Sequence, residues 1–223
     1  MVDSSASRGM PEKIAEAVRQ SIFTGELQPG DPIAELHWAR RHGVSQATVR
    51  DAFARLEHSG LVRRVRNKGT FVTNLSPQDV SEYLRLRVIL ERVAVADAAR
   101  LAAPEKLKNA ERRLQAIGAA VQANDYFQAS QADLAFHRAL WEISGDRTLY
   151  RMLDQITVPL FAFTSMRRSR SHEDLTRVMR SHAPILAAIK KNDAQAAQEA
   201  IRAHVELSYL EFLNGPQAAV VGK

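Results

Sequence analysis

The chain has 223 residues, 45% of them hydrophobic and 25% charged, with a net charge of +6 and no cysteine. This composition suits a folded protein of one large or two modest domains and excludes disulfides and thiolate metal sites. No run approaches the ~20 apolar residues that span a bilayer, and the start, MVDSSASRGM, has no hydrophobic signal core. We therefore expect a flexible arm over residues 1–10 and a cytoplasmic protein.

Pro11 opens a helical pattern in which Ile14, Val18 and Ile22 recur every fourth residue, with Gly25 as its stop. The connector LQPGDPIAE is punctuated by Pro-Gly and Asp-Pro and reads as turns. A short helix over 35–42 ends at Gly43. Ser45 then caps a second helix over 46–58, which Gly60 terminates. Within it Val49, Phe53 and Leu56 share one face and point inward. Residues 61–66 and 70–73 are two short β-like runs joined through Asn67-Lys68-Gly69, a hairpin turn.

After Leu75 the strand signals vanish. Ser76 with Pro77 behind it is a helix start, and helical periodicity continues over about 77–102, 104–123, 125–144, 146–168, 172–191 and 193–213. The expected fold is therefore mostly α: a winged helix-turn-helix with a small β-hairpin wing over 11–74, an all-α helical bundle over 77–213, and a flexible tail over 214–223.

Charge concentrates in the first unit. Residues 40–68 hold eight basic and two acidic side chains, a net +6 that equals the whole chain's. Such a concentration suits phosphate contact. In a helix-turn-helix the first turns of the second helix meet base edges, which here means Ser45, Gln46, Thr48 and Arg50. Glutamine pairs with adenine and arginine with guanine or phosphate. Arg50 is open to either, and Ser45 is as well suited to capping as to DNA contact. Arg63, Arg64, Arg66, Lys68 and Gly69 form the wing, placed for backbone or minor-groove contact. The partner expected is double-stranded operator DNA.

The helical unit holds a second constellation. Asp133 and His137 are four residues apart on one helix and share a face. His182 lies on an apolar stripe with Val178, Ile185 and Ile189, and His204 on a face with Ala197 and Ile201. Three histidines and a carboxylate pointing into one bundle make a divalent metal site. Hydrogen-bonded core histidines fit the spacing equally well. Zinc fits such donors first, and nickel, manganese or iron are compatible. His37, His42, His58 and His172 fall on polar or DNA-facing surfaces and receive no role.

Two stretches carry a family resemblance. The strings GELQPGDPIAE and GVSQATVRDAFARLEHSGLVRRVRNKGTFV resemble the GntR family of bacterial transcription regulators over about residues 11–73. Its members usually have arginine after the serine and proline before the valine, where this chain has Gln46 and Thr48. The arginine common in the first helix of the motif is replaced near Leu36. These departures bear on the operator sequence rather than on the fold.

Arg87 and Glu91, then DLAFHRALWEISGD, then SHAPILAAIKKNDAQAAQEAIRAHVE resemble the FCD domains of the FadR-type branch over about 78–213. That resemblance implies Asp133, His137, His182 and His204 as metal ligands. Asp146 and Ser181 stand where asparagine and glutamate are common, and neither is a ligand there. A small carboxylate effector would complete the coordination, with Arg87 pairing its other end; Arg87 could equally be held by Glu91 as a structural pair. The implied protein is a homodimeric, ligand-responsive regulator rather than an enzyme. The rival readings are a structural or signalling metal and, more remotely, a metal-dependent hydrolase.

Overall fold

A computed structural model describes residues 9–171 and 176–214. The N-terminal elements are helix α1 (Met10–Phe23), strand β1 (Pro32–Ile33), helices α2 (Glu35–His42) and α3 (Gln46–His58), and strands β2 (Val62–Val65) and β3 (Gly69–Val72). Ile14, Val18 and Ile22 of α1 are buried, as are Val49, Phe53 and Leu56 of α3. The side chain of Ser45 accepts the Thr48 N–H and caps α3. The hairpin turns through Asn67, whose φ is +60°, a conformation asparagine tolerates.

The connector after α1 is more than a turn. Its Pro32 and Ile33 pair antiparallel with Phe71 and Thr70, giving a sheet of order β1-β3-β2. Two residues are too few for a period-2 pattern, so the strand left no signal beyond the buried Ile33.

Helices α4 (Pro77–Leu101), α5 (Pro104–Gln122), α6 (Tyr126–Ser144), α7 (Arg147–Ser171), α8 (Thr176–Lys190) and α9 (Ala194–Asn214) follow. Ser76 and Asp79 form a reciprocal capping box at the start of α4. Asp125 caps α6 through the Gln128 N–H, and Asp146 accepts the N–H groups of Thr148 and Leu149 at the head of α7. The fourth helix of this unit was expected to end at 168 and runs to Ser171. Residues 172–175, with His172, lie outside the described residues, as do most of the expected arm and the tail beyond 214. Among the described residues no helix is long and apolar enough to cross a membrane.

One apolar core continues from the N-terminal unit into the bundle. Three contacts mark the junction. Phe23 meets Phe127 edge-on at 6.3 Å, and Ser165 Oγ donates to the Phe23 carbonyl at 3.2 Å. Gly60, with φ +72°, sits against the middle of α7, where an added Cβ would lie 2.8 Å from Pro159 Cγ and 3.2 Å from the Gln155 carbonyl oxygen. Pro159 has no N–H to give that carbonyl four residues earlier.

Candidate nucleic-acid interface and metal centre

The leading edge of α3 is exposed at Gln46, Ala47 and Arg50. Ser45 and Thr48 are tied to each other, with Oγ and Oγ1 3.0 Å apart, so both hydroxyls serve the cap. Arg50 Nε donates to Glu35 Oε2 at 2.7 Å while the side chain stays 57% exposed. Glu35 thus joins the first turn of α2 to the second turn of α3. On the wing Arg63, Arg64, Arg66, Lys68 and Gly69 are all exposed. Among the described residues none of these four basic side chains has a carboxylate within 4.0 Å, which leaves their charge available to phosphate. His42, expected on a polar surface, instead stacks on Trp38 with centroids 5.6 Å apart, because it sits one turn along the same face.

The bundle brings Asp133 and His137 of α6, His182 of α8 and His204 of α9 together, all buried. One ligand atom from each lies within 4.8 Å of all the others. His182 Nε2 is 2.8 Å from Asp133 Oδ1, and His137 Nε2 is 3.3 Å from that oxygen and 3.2 Å from His204 Nε2. The opposite ring nitrogens of two histidines have partners of their own. His137 Nδ1 lies 2.8 Å from Glu91 Oε2, and His204 Nδ1 lies 2.9 Å from Ser181 Oγ. A histidine fixed through Nδ1 presents Nε2 to an ion.

The electrostatics follow from burial beside charged neighbours. Burial alone would raise the Asp133 pKa, but His182 and His137 outweigh it and hold the group well below the usual carboxylate range. Burial likewise works against Glu91, yet His137 and Arg87 bring it down to about 2. His137 is pushed down by burial and, more strongly, up by its two carboxylate neighbours, so its pKa rises. Burial and the charges of His182 and His137 drive His204 well below its ordinary value. The set therefore presents an anionic carboxylate beside three buried imidazoles, of which His137 holds its proton more tightly than usual and would release it on binding an ion. That chemistry fits a divalent cation.

Arg87 forms part of the wall of this site. It is buried, donates from Nε to Glu91 Oε1 at 2.5 Å, places Nη2 3.0 Å from His137 Nε2, and lies 5.1 Å over the Phe161 ring. Arg87 therefore both pairs with Glu91 and reaches the quartet at His137. Two further wall residues went unread in the sequence. Trp141 Nε1 donates to Glu91 Oε2 at 3.4 Å, and Phe161 meets His137 at 5.9 Å. Trp141 was accessible in principle, since it follows His137 by four residues on one helix face. Phe161 is on another helix and carried no local signal.

Comparison with known proteins agrees with this architecture. Residues 11–72 match the gntR family of bacterial regulatory proteins, and residues 82–207 match the FCD domain. An uncharacterized HTH-type transcriptional regulator in the TAR-I ttuE-ttuC' intergenic region of Agrobacterium vitis is 35% identical over 144 residues, 62% of this chain and 82% of that protein. A probable D-xylose utilization operon transcriptional repressor of Paenarthrobacter nicotinovorans is 28% identical over 211 residues, 92% of this chain and 91% of its own length. The solved structure of E. coli McbR/YncC shares the fold with a TM-score of 0.80 at 20% identity, covering 92% of this chain and 98% of that one. The chain belongs to the GntR family of bacterial transcription regulators, in the FadR-type branch that carries an FCD domain.

Proposed function

We propose that this regulator binds operator DNA through α2, α3 and the wing, and that its helical unit holds a divalent metal and a small organic acid that together set operator affinity. The observation that carries the reading is the buried quartet of Asp133, His137, His182 and His204 in the same chain as an exposed basic helix-turn-helix. The four would hold the ion, zinc first by donor type. A bound ion would supply open coordination positions for carboxylate oxygens. Arg87, already at the ligand shell, would pair with the acid's charge, and Glu91 would fix His137. Ser45, Gln46, Thr48 and Arg50 would face the major groove, with Arg63, Arg64, Arg66, Lys68 and Gly69 against the backbone.

We assign no turnover. Glu91, the carboxylate nearest the quartet outside it, is engaged by Arg87, His137 and Trp141 and has no free role as a general base. The working form is a cytoplasmic homodimer presenting two recognition helices about one DNA turn apart. The outer face of α4, where Leu86, Ile89 and Val93 stand exposed at helical spacing, is a surface a second copy would cover. The relative described as a probable D-xylose utilization operon transcriptional repressor supports an operon-level role.

A second reading has its own observation. The quartet ties α6, α8 and α9, and Glu91 adds α4, so a metal there would also brace the bundle. The test is calorimetry on the full chain. We expect one zinc per chain, lost in Asp133→Ala, and binding of small carboxylates only to the zinc-loaded form. Carboxylate binding that is indifferent to zinc would remove the joint site. Unfolding of His182→Ala and His204→Ala at ambient temperature would favour the bracing role.

A further inference from the structure

The DNA-facing edge of the N-terminal unit has an unusual chemical layout. Its periphery is cationic, with Arg40, Arg41 and the wing residues exposed. Its centre is nearly uncharged. Gln46 and Ala47 open α3, and Leu36 stands 46% exposed in the first turn of α2. Leu36 points away from the face that buries Trp38 and Ala39, and shares its side of α2 with Arg40 one turn on. It is adjacent to Glu35, whose carboxylate holds Arg50 Nε at 2.7 Å. Arg50 in turn lies one turn from Gln46. Through Glu35 the first turn of α2, which carries Leu36, meets the turns of α3 that carry Gln46 and Arg50, and the single cation of these three is tethered through its Nε.

Base chemistry gives this layout a meaning. The major groove shows one apolar feature, the C5-methyl group of thymine, and its adenine partner offers the N6 and N7 pair that a glutamine amide matches. The centre's one arginine, Arg50, is positioned through its Nε by Glu35, and beside it stand an apolar and an amide side chain rather than further cations. We propose that Leu36 is a specificity-determining residue that reads a thymine methyl, beside an adenine read by Gln46, so that the centre of each half-site is built on A·T pairs. The inference rests on the reading that this unit binds duplex DNA with sequence preference.

The test begins with selection of preferred duplexes from a random pool by the full-length protein at fixed salt. Each thymine of the selected site is then replaced in turn by uracil, which removes the methyl and keeps the pairing. At one thymine per half-site, uracil should weaken wild-type binding about fourfold, the worth of one buried methyl. Leu36→Ala should bind the thymine and uracil duplexes equally, with unchanged thermal unfolding, and Gln46→Ala should relax the adenine preference at the neighbouring pair. A selected site whose uracil forms all bind as well as thymine overturns the role of Leu36 and leaves specific binding intact. A uracil penalty that persists in Leu36→Ala overturns it equally. Failure to select any preferred duplex overturns the underlying reading and this inference together.

Discussion

Glu91 shows how much a single side chain can hold. It is fully buried and accepts from Arg87, His137 and Trp141 at once. Removing its charge strands Arg87 in the core, which costs about 3–5 kcal/mol for a broken buried pair, and loosens His137. Glu91→Gln should therefore lower zinc affinity ten- to a hundredfold, the range for lost outer partners of metal-bound histidines, as read by chelator competition. The double change Arg87→Gln with Glu91→Gln should recover stability and leave zinc affinity low. Recovery of both would reduce Glu91 to a folding role. On the DNA side, Arg50 and Glu35 form an exposed pair, worth at most about 1 kcal/mol. Arg50→Ala should abolish preference for the operator while thermal unfolding barely moves. Lys68→Ala should weaken all duplexes alike and lower the salt slope by about one. The donors of the quartet were legible because Asp133 and His137 share a helix face and His182 and His204 interrupt apolar ones. The Glu91–His137 contact joins residues 46 apart in sequence, and no local period reports such a pairing.

At the level of elements, sequence punctuation located most of the helices. Ser45, Ser76 and Asp125 accept the capping hydrogen bonds their types favour, and Gly43, Gly60 and Gly145 take left-handed backbone at the stops. What escaped was structure without a period, namely β1, and contact between units, namely Gly60 on Pro159. That contact is testable by a mutant cycle on the full chain. Gly60→Ala carries both left-handed strain, about 1 kcal/mol, and the collision with the α7 proline. In a Pro159→Ala background the collision is relieved and the strain remains. The destabilisation by Gly60→Ala should fall toward that strain plus the remaining close approach to the Gln155 carbonyl oxygen, 3.2 Å from the added Cβ. Equal costs in the two backgrounds would show that the ring and the glycine do not press on each other.

Over the whole molecule, α7 touches both ends of the proposed switch. Phe161 lies against Arg87 and His137, while Pro159 and Ser165 lie against Gly60 and Phe23. A ligand that repositions Arg87 has a packed route to the DNA-reading helices through one helix, which is the physical requirement for coupling two sites. In the proposed dimer the second copy would contribute the other half of the output. Ile89→Asp on the outer face of α4 should give a folded monomer by sedimentation and a large loss of operator affinity; an unchanged dimer would move the interface elsewhere. The most direct measurement is operator affinity of the full chain at fixed salt, metal-stripped, zinc-loaded, and zinc-loaded with a panel of small carboxylates. A change of at least about fivefold, the lower end for coupled sites, is expected for zinc with one acid, absent in His182→Ala. Affinity that ignores every metal and acid, with the selected operator still bound, would contradict the proposed switch.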